Sequence, residues 1–471
     1  MKILFLHNQK FMYFGVMTLC GYLKNTQHEC DVLIESCEDD LIGKIKEINP
    51  DVFGLSIMSN DHKWLVRTVA KLKMEFPTKM ILVGGAHGAQ FPDIIDKVNI
   101  DAVCVGEGEK PLKMFLDRLQ DGKDYWNTES FYVRYQGHVY KNDIMSLLEN
   151  LDEAIEDRAV YFKRYPFFKR DDLLQCLSSR GCPFKCTFCI NERLHELYKG
   201  KGKVFRRKSI NMLMLELKNT IEQMPNAKRI FFADDLFLAD KKHFREFAVR
   251  FKEEINLPYM ISGFPFFVDD EIGKLLKVSG CRMFAAGIET GNEEKRKKIF
   301  NKNIKNSDFI KLSKILKNNG VDLYTANIFN FPSETFVDAL KTVEFNHELK
   351  TSHPAKSLLL PYPNTKIADI AKEMKVLPQD FGFEDVPQSY YLDSVIESPE
   401  KDKILLLYSY FYFLCRYVKF FDLVKNNPWI LKVIPFPKFW NYVGIFLWFK
   451  RWKGFNYIDA LFYLLRFRRN K

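Results

Sequence analysis

The sequence has no apolar run long enough to cross a membrane. Two uncharged runs near its end, residues 404–415 and 439–449, contain twelve and eleven residues, whereas a spanning helix needs about twenty. Residues 1–6 lack the long apolar stretch and the small-residue cleavage site of a secretory signal, and their pattern predicts a buried first strand. We therefore expect a cytoplasmic protein that is not exported.

Residues 1–400 carry no net charge. The whole excess of +11 lies in residues 401–471, which contain 14 Lys and Arg against 3 Asp and Glu, together with four of the six tryptophans. Basic residues beside aromatic ones are typical of segments attracted to anionic lipid head groups. We predict a peripheral contact of residues 401–471 with the inner face of the membrane, or alternatively a helical cap packed on the protein. No nucleic-acid module accompanies the segment, so no nucleic-acid partner is expected.

Cysteines are sparse outside one cluster. Seven of the ten are scattered without a disulfide-like framework, as in a reducing compartment, and three lie close together at Cys182, Cys186 and Cys189. No second cluster follows, so an auxiliary iron–sulfur cluster is not expected.

The cysteine loop has the spacing C-x-x-x-C-x-x-C. Three thiolates on one tight loop can hold three irons of a [4Fe-4S] cluster and leave the fourth without a protein ligand. An open iron invites a small molecule, just as catalytic zinc sites keep one position free. The alternatives are a zinc loop completed by a remote histidine, although no Cys-x-x-Cys or His-x-x-x-His partner offers a tetrahedral set, and three reduced thiols that bind no metal.

The first part of the chain alternates predicted strands with predicted helices, which favours a doubly wound parallel sheet. The strands are residues 3–6, 32–34, 52–57, 80–83 and 102–105, and the helices are residues 16–24, 41–48, 64–76 and 94–98. Ligands bind outside the carboxyl ends of such strands. Small and polar residues stand there, and we take them as a cofactor-binding set: Ser56, Ser59, Gly84, Gly85, His87, Gly106, Glu107 and Gly108.

A second alternation begins at residue 173. Its strands, residues 173–177, 229–232, 259–262, 283–288, 322–329 and 357–360, predict a partial (βα)6 barrel, whose chemistry collects at the carboxyl ends of the strands. The cysteine loop follows the first strand. Asp234 and Asp235 follow the second, Glu289 ends the fourth, and Asn330 follows the fifth.

The cysteine spacing, with Phe188 before the last cysteine, resembles the signature of the radical S-adenosylmethionine (SAM) enzymes. The resemblance implies that the amino and carboxylate groups of SAM chelate the open iron and that Phe188 borders the adenine. Asp234 or Asp235 would lie near the amino group and Glu289 near the ribose, with Asn330 as a further contact. One electron from the cluster would then generate a 5′-deoxyadenosyl radical.

Most of residues 1–120 resemble the cobalamin-binding domain that precedes many radical SAM enzymes. The resemblance is carried by the segments 51–56, 83–87 and 101–109, and it implies cobalamin as a third cofactor. The motif D-x-H-x-x-G is missing at residues 6–12, so His7 is not expected to ligate cobalt. The alternative is a domain that has kept the fold and lost the cofactor.

Three turns depart from the family pattern. Asn330 and Ser333 replace glycines after the fifth barrel strand, and Asn364 replaces one after the sixth. Asparagine tolerates a positive φ, so we expect these turns to survive.

The resemblance implies a cobalamin-dependent radical SAM methyltransferase acting on an unactivated carbon of a small molecule, with a ferredoxin or flavodoxin as electron donor. The predicted membrane contact of residues 401–471 makes an apolar or lipid-like substrate the expected one. One alternative is a non-methylating radical SAM cyclase, oxidase or carbon–carbon coupling enzyme. The other is a non-catalytic cobalamin or redox sensor. The predicted domains are a cobalamin-binding domain (1–125), a hairpin turning at Gln136-Gly137 with a linker (126–170), the partial barrel (171–365) and a helical C-terminal region (366–471).

Overall fold

The computed structural model describes residues 1–387 and 389–453. The chain divides into two compact units. The first contains residues 1–184 and 190–235, and the second contains residues 185–189 and the described residues from 236 onward. Part of the predicted membrane-contacting segment, residues 454–471, lies outside the described residues.

The first unit is built on a seven-stranded sheet with the order β2-β1-β3-β4-β5-β6-β7. Its strands are β1 Lys2–His7, β2 Glu29–Ile34, β3 Val52–Ser56, β4 Met80–Gly84, β5 Ala102–Cys104, β6 Phe131–Tyr135 and β7 His138–Lys141. Strands β1 to β5 are parallel, as predicted, whereas β6 and β7 are antiparallel. The predicted hairpin forms, with Gln136 and Gly137 at φ 48° and 80°, and it extends this sheet.

Six helices accompany the strands of this sheet. They are α1 Phe14–Leu23, α2 Leu41–Ile48, α3 His62–Glu75, α4 Gly85–Gln90, α5 Glu109–Gln120 and α6 Ala159–Phe162. Helix α3 buries Leu65, Val69 and Leu72 on the core side, the spacing of one helical face. The predicted helix at 94–98 is instead the 3-10 helix Pro92–Asp96, because so short a segment closes hydrogen bonds over three residues.

The first unit continues with β8 Leu173–Cys176, β9 Ser179–Arg180, α7 Ile190–Leu197, β10 Arg206–Arg207, α8 Ile210–Gln223 and β11 Arg229–Phe232. Strands β8 and β11 are parallel neighbours and match the first two predicted barrel strands. Strands β9 and β10 pair antiparallel, with Arg180 opposite Arg206. The cysteine loop begins directly after β9.

The second unit contains four parallel neighbouring strands, β12 Tyr259–Ser262, β13 Cys281–Glu289, β14 Asp322–Phe329 and β15 His353–Leu358. Its helices up to residue 373 are α9 Lys241–Glu254, α10 Asp270–Ser279, α11 Glu293–Lys298, α12 Asn306–Asn318, α13 Phe336–Glu348 and α14 Lys366–Glu373. Strand β15 begins and ends earlier than the predicted strand 357–360. The prediction missed its start because Pro354 and Lys356 interrupt the apolar pattern. Proline is tolerated there because β15 ends the strand order.

The C-terminal region consists of α15 Lys401–Arg416, α16 Val418–Asn426, α17 Ile430–Val433 and α18 Pro437–Lys453. Helix α15 carries the uncharged run 404–415 and buries Leu407, Phe411 and Leu414 in a core with residues of β14, β15 and α13. This run therefore packs as the cap alternative predicts. Among the helices of residues 1–387 and 389–453, none has both the length and the apolarity to span a bilayer.

Candidate functional site

A cavity of about 270 Å³ lies in the first unit at the carboxyl ends of its parallel strands. Six of the eight residues predicted to bind a cofactor there line it: Ser56, Gly84, Gly85, Gly106, Glu107 and Gly108. Ser59 and His87 are not among the lining residues. The remaining wall is largely apolar, with Phe5 and Phe14 among its members, which suits an apolar part of a ligand.

Two glycines give this cavity its shape. Gly85 has φ +83°, and a Cβ there would lie 2.7 Å from the carbonyl oxygen of Ile57. Gly106 has φ +98°, and a Cβ there would overlap the hydroxyl of Tyr198. Any larger residue at either position would strain the backbone and shift the turn that lines the cavity.

Residues of the segment in front of the cysteines also line the cavity. Leu177, Ser179 and Arg180 contribute to its wall, together with Lys208. This contribution to the cavity wall was not predicted, because the residue spacing does not show that the segment before the cysteine loop lines the same cavity as the glycine turns.

His87 is buried outside the cavity lining. Its Nε2 lies 3.3 Å from Nδ1 of His62, and its Nδ1 lies 3.3 Å from Oγ of Ser59. Burial, with a smaller effect of His62, lowers the pKa of His87 to about 4, so the ring is neutral. His7 is buried as well, contacts the Tyr161 hydroxyl at 2.9 Å, and has a pKa lowered by burial to about 3.

Two arginines hold the acidic side chains of the glycine turn after β5. Arg206 donates to Glu107 Oε1 at 2.7 Å and to Oε2 at 2.9 Å. Arg180 donates to Glu109 Oε1 at 2.6 Å and lies 3.3 Å from Glu107. The backbone N–H of Glu107 also donates to Tyr198, at 2.6 Å. These contacts fix the turn against β9, β10 and the end of the α7 segment.

The two aspartates after β11 differ sharply. Asp234 is buried and accepts hydrogen bonds from the backbone and hydroxyl of Ser178 and from the hydroxyl of Ser179. Burial raises the pKa of Asp234 to about 6, against the effect of those hydrogen bonds. Asp235 is exposed and accepts from Asn191 at 2.9 Å. Asp234 is thus engaged within the protein, and Asp235 is the accessible carboxylate of the pair.

The two ends of the cysteine loop each make contacts within their own unit. In the first unit, the Cys182 carbonyl lies 2.8 Å from His195 Nε2. In the second unit, the Thr187 N–H donates to Phe300 at 3.1 Å, and the Thr187 carbonyl accepts from Ile367 at the start of α14. The Phe188 ring packs edge-on against Phe300, with the centroids 5.3 Å apart. Cys182 and Cys186 are buried, and Cys189 is half-buried.

Within the described ranges, no group of three or more His, Cys, Asp or Glu side chains is arranged to hold a single metal ion. A [4Fe-4S] cluster makes a different demand, since each cysteine binds its own iron and the three sulfurs stand farther apart than around one ion. Three cysteines and no carboxylate or histidine in the loop fit that cluster by their chemistry.

Glu289 is buried at the end of β13 with φ 58°. Its Oε1 accepts from Lys302 Nζ at 2.7 Å, and the same ammonium donates to the Gly287 carbonyl at 2.6 Å. Arg296, which is fully buried, donates to the carbonyls of Ile288 and Thr290 on either side of Glu289. Neither Lys302 nor Arg296 was predicted as a neighbour of Glu289. Both follow Glu289 by several residues and belong to no recognisable sequence motif.

The three departures from glycine keep their turns. Asn330, Ser333 and Asn364 have φ values of 52°, 68° and 61°, which confirms that expectation. The Asn330 side chain is occupied, since it donates to Ser394 at 2.7 Å and accepts from Ser398 at 2.7 Å. Asn330 therefore ties the segment after residue 393 to the end of β14.

Comparisons with known proteins agree with this architecture. The radical SAM superfamily model matches residues 177–345, and the B12 binding domain model matches residues 9–116. An uncharacterized methyltransferase of Pyrococcus horikoshii is 26% identical over 355 residues, covering 73% of this chain and 75% of the relative. The anaerobic magnesium-protoporphyrin IX monomethyl ester cyclase of Rubrivivax gelatinosus is 21% identical over 385 residues, covering 78% and 67%.

A solved structure shares the fold. The radical SAM methyltransferase TsrM from Kitasatospora setae, with cobalamin and a [4Fe-4S] cluster bound, superposes with a TM-score of 0.66 at 16% identity, covering 79% of this chain and 75% of that one. The predicted fold class, a doubly wound domain followed by a partial barrel, is confirmed.

The chain carries a radical SAM domain at residues 177–345 and, in front of it, a B12-binding domain at residues 9–116. It is accordingly a radical SAM enzyme of the cobalamin-dependent group, and the two domains imply the three predicted cofactors, a [4Fe-4S] cluster, SAM and cobalamin.

Proposed function

We propose that the protein transfers a methyl group to an unactivated carbon of a small, apolar or lipid-like molecule. The observation that carries the proposal is the lining of the cavity in the first unit. Glycines of the B12-binding domain and Leu177, Ser179 and Arg180, which immediately precede the cysteine loop, form parts of one wall. A corrinoid in this cavity would lie beside the segment that leads to the cluster.

The residue roles follow from the chemistry of each side chain. Cys182, Cys186 and Cys189 would hold three irons, leaving the fourth to the amino and carboxylate groups of SAM. Asp235, the accessible carboxylate, suits the SAM ammonium better than Asp234. Glu289 would accept from the ribose hydroxyls while Lys302 holds it in place.

When bound, the cluster with SAM supplies a radical generator and the corrinoid supplies a methyl carrier. The protein's own share is to orient both ligands and to exclude water. An electron donor such as a ferredoxin or flavodoxin completes the proposal.

The products formed after anaerobic reconstitution with reductant, SAM, cobalamin and a candidate substrate test the proposal. We expect both 5′-deoxyadenosine and S-adenosylhomocysteine. Deoxyadenosine without S-adenosylhomocysteine would favour a non-methylating enzyme, which the cyclase relative supports as the second candidate. The absence of both products would contradict an enzymatic function and favour the sensor.

We further propose that the segment 417–439, called here the apolar rim, contacts the surface of the membrane. Seven large apolar residues are exposed there: Tyr417, Val418, Leu423, Trp429, Val433, Phe436 and Phe439. Lys419, Lys432 and Lys438 stand among them. Apolar side chains flanked by lysines suit an anionic bilayer surface, and they would bring the enzyme to an apolar substrate. The buried run 404–415 has no part in this contact.

Replacing Trp429, Phe436 and Phe439 with serine is expected to weaken binding to phosphatidylglycerol-containing vesicles by about tenfold or more, because apolar area leaves the interface. The chain offers a matched control: Val278, Met74 and Val337 are exposed to 61%, 74% and 58%, the same fractions as Trp429, Phe436 and Phe439. Serine at the control positions should leave vesicle sedimentation unchanged. Equal loss in both triple variants, or none in either, would rule out the apolar rim.

A further inference from the structure

Arg296 is a buried cation whose hydrogen bonds go to the backbone. Its side chain is fully buried, and it donates to the carbonyls of Ile288 at 2.8 Å, Thr290 at 2.5 Å and Ile304 at 2.8 Å. Among the described residues it donates to no carboxylate. Burial lowers the pKa of the guanidinium to about 10, so it stays charged at neutral pH. Burying a cation that bonds to no carboxylate is costly, which points to a role beyond filling space.

Glu289, which lies between two of these carbonyls, has an unusual backbone conformation. Its φ is 58°, in the left-handed region that glycine and asparagine adopt readily and a long side chain rarely does. Its side chain folds back over Gly287, where a Cβ would lie 2.2 Å from Oε1 of Glu289. Such a conformation persists only where the surroundings fix it. The hydrogen bonds from Arg296 to the carbonyls before and after Glu289 supply that constraint.

The same arginine also holds the segment that carries Lys302. The Arg296 carbonyl accepts from the Lys302 N–H at 3.1 Å, and its guanidinium reaches the Ile304 carbonyl two residues further on. Lys302 Nζ occupies Oε1 of Glu289 at 2.7 Å, whereas Oε2 accepts no hydrogen bond from any described residue. One guanidinium therefore fixes both the backbone around Glu289 and the lysine that orients its carboxylate, and one carboxylate oxygen is left for a ligand.

We propose that Arg296 is the positioning residue that fixes the Glu289 carboxylate in the orientation in which it accepts from the ribose hydroxyls of SAM. The inference rests on the proposed ribose contact of Glu289. Because Arg296 is fully buried, it acts through the backbone of residues 288–290 and through Lys302. Without it, the end of β13 can relax to a negative φ, and the carboxylate leaves its position while the strand remains.

The test compares two affinities of the full-length protein, reconstituted with its cluster and kept without reductant so that SAM stays intact. One affinity is for SAM, and the other is for SAM whose ribose lacks both hydroxyls; equilibrium dialysis measures each. The wild type should prefer SAM by roughly tenfold or more, because the analogue loses hydrogen bonds to a charged acceptor. Glu289→Ala should bring the ratio of affinities close to unity.

Arg296→Met should lower this ratio by roughly threefold or more, because the acceptor is no longer held in place. In the Glu289→Ala background it should change the ratio no further, since both changes act on the same contact. The ratio does not depend on the fraction of folded protein, so a loss of stability alone would leave it at the wild-type value.

Arg296→Lys keeps a cation that can reach some of the carbonyls, so its ratio should lie between those of the methionine variant and the wild type. It also carries the test if the methionine variant does not fold. Arg134→Met is the matched control, because Arg134 donates to the carbonyls of Ile95 and Ile100 in the first unit and should keep the wild-type ratio. A wild-type ratio in the Arg296 variants would overturn the inference. A wild type that binds both ligands equally would instead overturn the ribose contact of Glu289 on which the inference rests.

Discussion

Replacing Cys186 with alanine is expected to remove the cluster and, with it, reductive cleavage of SAM. Two sulfurs cannot hold the three irons that the loop is built to bind. Losing only a hydrogen-bond partner of a metal ligand lowers metal affinity or activity by roughly 10–100-fold. Losing the ligand itself should lower the rate of deoxyadenosine formation by more than that. Iron analysis and deoxyadenosine formation after identical reconstitution measure both effects.

Cys176 provides the control for this experiment. It lies six residues before Cys182, is buried in β8, and has a pKa raised by burial. Alanine there removes one small buried group, which costs about 1 kcal/mol, and should leave the iron content unchanged. Full iron and full activity in Cys186→Ala would contradict the assignment of the loop.

Replacing Lys302 with methionine is expected to lower the free energy of unfolding by about 3–5 kcal/mol, because it leaves the Glu289 carboxylate buried without its cation. The two side chains are only 8% and 6% exposed, so water cannot take over the role of the lysine. Urea unfolding of the apoprotein, followed by circular dichroism, measures the loss.

The double variant Glu289→Gln with Lys302→Met should recover most of this stability, since removing both charges of a buried pair is often close to neutral. Lys298→Met, four residues away, breaks the surface pair with Glu294, whose partners are about 70% exposed, and should change stability too little to resolve. A single variant as stable as the wild type would show that Glu289 is not held by this lysine.

The strands and the hairpin of the first sheet could be predicted from the sequence, because each depends on a local pattern of apolar and turn residues. Five parallel strands of the first sheet and the hairpin at Gln136-Gly137 follow from apolar runs and turn residues. The glycine turns after β4 and β5 could likewise be placed at a ligand cavity, since the carboxyl ends of parallel strands share one edge.

Side-chain contacts between residues that are far apart in the sequence could not be predicted from local pattern. Glu107 and Glu109 look alike in sequence, yet only the tertiary position of Arg206, 99 residues after Glu107, shows that Glu107 is fully used. Asp234 and Asp235 are adjacent, and only burial of Asp234 against Ser178 separates their roles. Lys302 belongs to no sequence motif, because its role depends on the Glu289 carboxylate that it contacts in the folded protein.

We propose that one enzyme uses SAM both to methylate a corrinoid and to start radical chemistry at the cysteine loop. The most direct test incubates the reconstituted protein anaerobically with reductant and SAM bearing a deuterated methyl group, then extracts the corrinoid for mass spectrometry. We expect the extracted corrinoid to carry the labelled methyl group and deoxyadenosine to form as well. A corrinoid that stays bound but unlabelled while deoxyadenosine accumulates would contradict methyl transfer.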